Sequence, residues 1–214
     1  LGSPPITGEA VPTHIIVNRA GESVKSSVNK FLFKSDLKVG INNEVSSYRT
    51  MNGVFYSEYL DDTIYMVSPI TGFSPYIIFD KGNMGFTIEK RNTPQMEKMF
   101  YECMITSGFF ETNKYLFVGL SYLKTGGLLS FNKESGNFSF EENGIVNDID
   151  GGLPLKYALL SNDSILIGID NPIDIMSHQI NDIYKTRNNK FIKLKSSIAE
   201  EENPVIVIYN IKHD

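Results

Sequence analysis

The sequence predicts an all-β fold built from propeller-like blades, and three observations carry that prediction. A tight polar turn followed by a β-branched or aromatic run occurs at Leu60-Asp61-Asp62-Thr63-Ile64-Tyr65, at Glu111-Thr112-Asn113-Lys114-Tyr115-Leu116-Phe117-Val118 and at Ser161-Asn162-Asp163-Ser164-Ile165-Leu166-Ile167. These turns recur at roughly 50 residues, a spacing that suits an architecture whose unit is a small antiparallel sheet. Through most of the chain the apolar period is two rather than 3.6, and Gly, Asn and Asp clusters punctuate runs of Ile, Val, Phe and Tyr.

Taken in order, residues 1–12 read as a tag remnant or linker, because Leu1-Gly2-Ser3 matches what protease removal of an affinity tag leaves. Residues 13–40 form a partial blade, with strands at 13–18 and 23–27 around the turn Arg19-Ala20-Gly21-Glu22. A blade at 41–90 takes strands at 45–50, 53–57, 63–67 and 75–79. Thr93-Pro94 is a helix-start signature, a Thr cap before Pro at the first helical position, and predicts a short linking helix. The blade at 99–146 takes strands at 100–106, 114–122, 127–132 and 137–140; Gly126-Gly127 and Lys133-Glu134-Ser135-Gly136 read as its hairpin turns. The aromatics of this segment, from Phe109 to Phe140, are assigned to core and cross-strand packing.

The last blade, 147–214, has strands at 157–160, 164–169 and 204–209, with a helical insertion at 173–199. Ile173, Met176, Ile180, Ile183 and Tyr184 recur at helical steps, as do Phe191, Leu194 and Ile198, so two amphipathic helices are expected between Pro172 and Pro204. Such an excursion can cap one face of a ring or present a surface to a partner.

Composition narrows the partners. The 214 residues are 41% hydrophobic and 12% aromatic, enough to bury a core without disulfides. A net charge of −5 argues against general affinity for nucleic acid or an anionic membrane, both of which need a dense cationic face. The basic stretch Lys185, Arg187, Lys190, Lys193 and Lys195 is followed by Glu200, Glu201 and Glu202, and reads as a solvated face. Cys103 is the single cysteine and reads as a buried small hydrophobe. No apolar run approaches the ~20 residues of a spanning helix, so membrane association is expected only through an anchor outside this chain.

Catalytic signatures are sparse. His14, His178 and His213 do not pair at ligand spacing with one another or with Cys103, which disfavours a conventional zinc site, and no cofactor is expected. Asn147, Asp148 and Asp150 before Gly151-Gly152 could offer oxygen ligands to calcium, but the spacing is not that of an EF-hand loop, and an Asx-rich structural turn is the preferred reading. No Gly-x-Ser-x-Gly elbow or phosphate-binding glycine motif is present. The adjacent acids Asp61 with Asp62 and Glu141 with Glu142 would point to opposite faces of a strand. Polar side chains expected on loops, and therefore candidates for ligand contact, are Tyr48, Arg49, Tyr101, Asn147, Asp148 and Lys156.

Several segments together resemble an uncharacterised family of six-bladed β-propellers, envelope lipoproteins of bacteroidete-type bacteria. The carrying residues are Asp62-Thr63-Ile64-Tyr65 with Pro75-Tyr76-Ile77-Ile78-Phe79-Asp80-Lys81-Gly82, then Asn147-Asp148-Ile149-Asp150-Gly151-Gly152, then Glu202-Asn203-Pro204-Val205-Ile206-Val207-Ile208-Tyr209. The resemblance implies the C-terminal half of such a ring, about three blades and a partial one of an expected six. Its two edges would be closed by a missing N-terminal half or by a second copy. It also implies a periplasmic or cell-surface, lipid-anchored protein.

Three functional expectations follow. The first is a non-enzymatic binding or scaffold propeller, whose ligand would be a small molecule, glycan or peptide. The second is a hydrolase or lyase with an acidic or metal-dependent site on the central face. The third is an interaction module acting through open sheet edges or the helical insertion, with Ile180 and Tyr184 as contact residues.

Overall fold

Period-two and β-branched runs form four antiparallel sheets in the computed structural model, which describes residues 12–32, 45–50, 52–58, 60–156, 160–161, 164–185 and 189–210. The chain is therefore mostly β, with a few short helices. Residues 1–11, which hold Leu1-Gly2-Ser3, lie outside the described part, as do 157–159, Asn162, Asp163, Arg187 and His213. The chain divides into two units, Leu1–Phe109 with Leu120–Gly126, and Phe110–Gly119 with Gly127–Asp214. No helix among the described residues is long and apolar enough to cross a membrane.

In the first unit β1 (Pro12–Val17) and β2 (Ser23–Val28) form a hairpin, and β3 (Val45–Thr50), β4 (Gly53–Glu58), β5 (Thr63–Ser68) and β6 (Gly72–Ile78) form a four-stranded meander. Cross-strand aromatic pairs hold its register: Tyr48 opposes and stacks on Phe55, and Tyr56 opposes and stacks on Tyr65. His14 of β1 is fully buried, its ring 4.0 Å from that of Tyr56. Asp61 and Asp62 precede β5 instead of lying in a strand, and they take different partners. Asp61 accepts from the Thr63 amide and the Tyr65 hydroxyl, whereas Asp62 pairs with the buried Lys81 at 2.9 Å.

The linking helix starts later than Thr93-Pro94 predicts. Two helices occur, α1 (Ile88–Arg91) and α2 (Met96–Glu102). The Thr93 hydroxyl donates to the Lys90 carbonyl at 2.9 Å, so Thr93 closes α1 instead of capping α2, and Pro94 lies in the turn between them. Beneath α2, Phe86, Met96, Cys103 and Ile105 make a buried cluster, which gives Cys103 its apolar surroundings.

The next sheet has the order β10-β9-β8-β7, from β7 (Ile105–Glu111), β8 (Tyr115–Tyr122), β9 (Thr125–Asn132) and β10 (Phe138–Glu142). Gly126-Gly127 is not the hairpin turn. Leu123 and Lys124 make it with positive φ values of 49° and 68°, and both glycines belong to β9. At Gly127 a Cβ would lie 2.5 Å from the Phe140 ring and 2.6 Å from the Glu141 carbonyl oxygen, so glycine is required there by close packing.

In the second unit Phe110, Phe117, Leu128, Leu155 and Leu166 form the core, with the Phe110 and Phe117 rings stacked at 4.7 Å. Phe138, by contrast, is largely exposed on edge strand β10. The last sheet is β11 (Leu160–Ser161), β12 (Ile165–Asp170) and β13 (Val205–Asn210). Between β12 and β13 come α3 (Pro172–Ser177), a 3-10 turn (Asp182–Tyr184) and α4 (Lys190–Ser197). The first amphipathic stretch thus breaks after one short helix. His178 turns extended, and the Asn181 side chain caps the 3-10 turn through the Ile183 amide. Ile175, Phe191 and Ile198 are buried together, with Ile180 packed against them.

Candidate functional site

The alternation of β12 and β13 sorts their residues onto two faces. Leu166, Gly168 and Asp170 oppose Tyr209, Val207 and Val205, and these share the inner face. Strand β12 ends at Asp170, Asn171 then turns the chain, and Pro172 begins α3, where its missing N–H costs nothing. Asp174 and His178 follow at four-residue steps. Asn171 Nδ2 donates to Asp174 Oδ2 at 3.3 Å, and the His178 amide donates to the Asp174 carbonyl at 3.0 Å.

These elements enclose a cavity of about 370 Å³. Leu153, Pro154, Leu155 and Gly168 supply its apolar wall, and Asp170, Asp174, His178, Tyr209 and Lys156 its polar one. That volume is in the range of small-molecule sites. His178 is fixed from outside: its Nε2 lies 3.0 Å from the Gly151 carbonyl oxygen, and since a carbonyl only accepts, Nε2 carries the proton. The Phe191 ring meets the imidazole edge-on, and Lys195 Nζ donates to the His178 carbonyl.

Asp170 is the distinctive group. It is half-buried, and its carboxylate takes no hydrogen bond or ion pair from any described residue. Burial raises its pKa above the ordinary 3.8, and the charge of Asp174 raises it further, against smaller opposing effects of His178 and Lys156. The Tyr209 hydroxyl is pushed up to about 12 by burial, then by the charges of Asp170 and Asp150. Water on the open side of this half-buried carboxylate supplies its donors in the free chain, and a donor group of a ligand would take their place.

Of the sequence candidates, Lys156 alone lines this cavity. Tyr48 and Arg49 are strand residues of β3 rather than loop residues, and Tyr48 is buried against Phe55. Tyr101 is an exposed residue of α2, its ring 5.7 Å from Lys124 Nζ. Asn147, Asp148 and Asp150 lie in a turn held by its own side chains. Asn147 Oδ1 accepts from the Ile149 and Asp150 amides, and Asp150 Oδ1 accepts from Asn147 Nδ2 and the Gly152 amide. Asp148 is exposed. No group of three His, Cys, Asp or Glu side chains is placed to hold a metal ion among the described residues. Ile180 and Tyr184 are each partly buried: Ile180 packs against the α3–α4 cluster and Tyr184 lies over Gly151.

Sequence reasoning missed Asp170, Asp174 and His178. Their four-residue spacing was the available signal.

A family model described as a domain of unknown function (DUF4934) matches residues 6–210. The chain belongs to the DUF4934 family. No curated protein matches it. Among solved structures, a Bacteroides fragilis protein described as a "Putative exported protein" is similar at a TM-score of 0.63 and 15% identity. The match covers 96% of this chain and 61% of that one, so this DUF4934 chain spans less than two thirds of the length of that relative. At this identity the likeness shows a shared fold.

Proposed function

We propose that this chain is a non-enzymatic ligand-binding part of a larger exported protein of the bacterial envelope, with its sheets acting as propeller-like blades and its ligand held in the Asp170 cavity. The half-buried carboxylate without a donor carries this reading, because a polar ligand would supply what the protein does not. Export to the periplasm or cell surface, with a lipid anchor, is supported by the fold shared with the Bacteroides fragilis protein described as a "Putative exported protein" and by the sequence resemblance to envelope lipoproteins. The greater length of that relative supports further sheets beyond the four of this chain.

The test is a thermal-shift screen of small polar molecules and short glycans against the chain and against Ser177→Trp. Ser177 is exposed and lines the cavity, so a tryptophan there is expected to fill it while leaving Asp170 unsubstituted. Ligands that stabilise the parent and not S177W support the reading; ligands that stabilise both equally, or none at all, contradict it. Turnover of a stabilising glycan would move the assignment to the hydrolase alternative, with Asp170 and Asp174 as the acid pair.

One observation favours a second reading, an interaction role. Ile169 opposes Ile206, and Ile167 opposes Ile208, on the outer face of the last sheet; Ile169, Ile206 and Ile208 are exposed. A further sheet, from a missing half or a second copy, would cover them. Light scattering of the chain and of the I206K/I208K variant checks this, a variant-sensitive dimer being the supporting result.

A further inference from the structure

We propose that the Asp170 cavity takes the ammonium group of a small primary amine. This rests on the reading of the cavity as a ligand site and names the class of ligand.

The argument is one of hydrogen-bonding inventory. Asp170 and Asp174 are acceptors and carry charge. The His178 proton at Nε2 is committed to the Gly151 carbonyl and is not offered to a ligand. The Tyr209 hydroxyl makes no hydrogen bond to a described residue and can accept from a donor. Lys156 is the one cation in the lining, exposed at the rim, and it forms no ion pair with Asp170 or Asp174 among the described residues. The wall is therefore rich in acceptors and carries an excess of negative charge. An alkylammonium answers both features, with three N–H donors and one positive charge in a compact head. A neutral alcohol offers one donor and no charge, and a carboxylate is repelled. The apolar stretch of Leu153, Pro154 and Leu155 suits a short alkyl chain behind that head.

The groups facing Asp170 are Asp174 and His178 from α3, Lys156 from the segment before β11 and Tyr209 from β13, with Asp150 near Tyr209. Burial favours the protonated form of Asp170, and a cation beside it favours the charged form. Amine binding therefore displaces a proton from Asp170, and affinity rises with pH through the acid range.

The experiment is a titration of isotopically labelled chain by NMR with n-butylamine, n-butanol and butanoate, following the amides of Gly168 to Asp170 and of Asp174 to His178. Butylamine is expected to shift these amides saturably, and butanol and butanoate to bind about tenfold more weakly or not at all. Asp170→Asn, isosteric and neutral, is expected to weaken butylamine by about tenfold, and wild-type affinity to climb with pH through the acid range, less steeply in D170N. Butanol or butanoate binding these residues as tightly as butylamine overturns the ammonium assignment while leaving the cavity a ligand site. Silence of all three probes overturns both. Unchanged butylamine affinity in D170N overturns the proposal. Should D170N lose its native amide dispersion, a wild-type affinity flat with pH overturns it equally.

Discussion

His178 donates from Nε2 to the carbonyl oxygen of Gly151 at 3.0 Å, joining the end of α3 to the Asn147–Gly152 turn. Asn189, the cap of α4, reinforces the same junction by donating from Nδ2 to the Asp150 carbonyl at 2.6 Å. The turn is thus the seat of the helical insertion. Gly151 has φ +69°, and a Cβ there would meet the Tyr184 ring at 2.6 Å. Gly151→Ala is expected to destabilise the chain by about 2–3 kcal/mol, from left-handed strain and overpacking together. Urea unfolding read by circular dichroism measures this.

Gly126 and Gly127 are expected to part company. A methyl at Gly127 collides with Phe140 and the β10 backbone, whereas at Gly126 the nearest atom, the Leu120 carbonyl oxygen, is 3.9 Å away. Gly127→Ala should cost about 1–3 kcal/mol, and Gly126→Ala should be neutral or stabilise by up to about 1 kcal/mol. Paired denaturation curves decide it.

Burial pushes the His14 imidazole down from its ordinary 6.5 to about 4, although Glu58 Oε1 lies 3.5 Å from Nδ1. Desolvation outweighs that carboxylate. The unfolded chain then takes up a proton as pH falls through 6.5, and the folded chain only near 4. His14 therefore contributes stability that is complete above 6.5, shrinks as pH falls toward 4 and is gone below it. His14→Phe should flatten the dependence of the urea midpoint on pH across that window.

Glu111 is 2% exposed at the end of β7 and pairs with Lys133 Nζ at 2.6 Å. Lys133 also donates to the Thr112 carbonyl at 2.8 Å, which locks the turn between β7 and β8. Lys133→Met, removing the cation and keeping the stem, is expected to cost about 2–4 kcal/mol. The melting temperature should fall accordingly.

The β content was legible because runs rich in Ile, Val, Phe and Tyr set between Gly, Asn and Asp turns favour strands, as in Ile165 to Ile169 of β12. Boundaries set by competing local bonds were not. Thr93 and Pro94 look like a helix start, yet the Thr93 hydroxyl finds the free end of α1 first. Gly126-Gly127 looks like a turn, yet close packing of Phe140 is what demands a glycine. The site was hardest to read. Asp170 belongs to a strand, Asp174 to a helix and His178 to an extended residue beyond it, so their four-residue spacing is not one continuous helix face. The cavity comes from α3 folding back on β12 and β13, a relation that Lys156 shares only through space. Tyr48 failed as a loop candidate because it lies within β3 with its aromatic face turned to Phe55.

The most direct test of the ligand-binding account is crystallographic fragment screening of the chain with small polar molecules. The account predicts that hits collect in the Asp170 cavity, with a donor group against the Asp170 carboxylate, and that S177W abolishes them. Hits scattered over other surfaces with that cavity empty, or hits in the cavity that leave Asp170 without a donor, would contradict it.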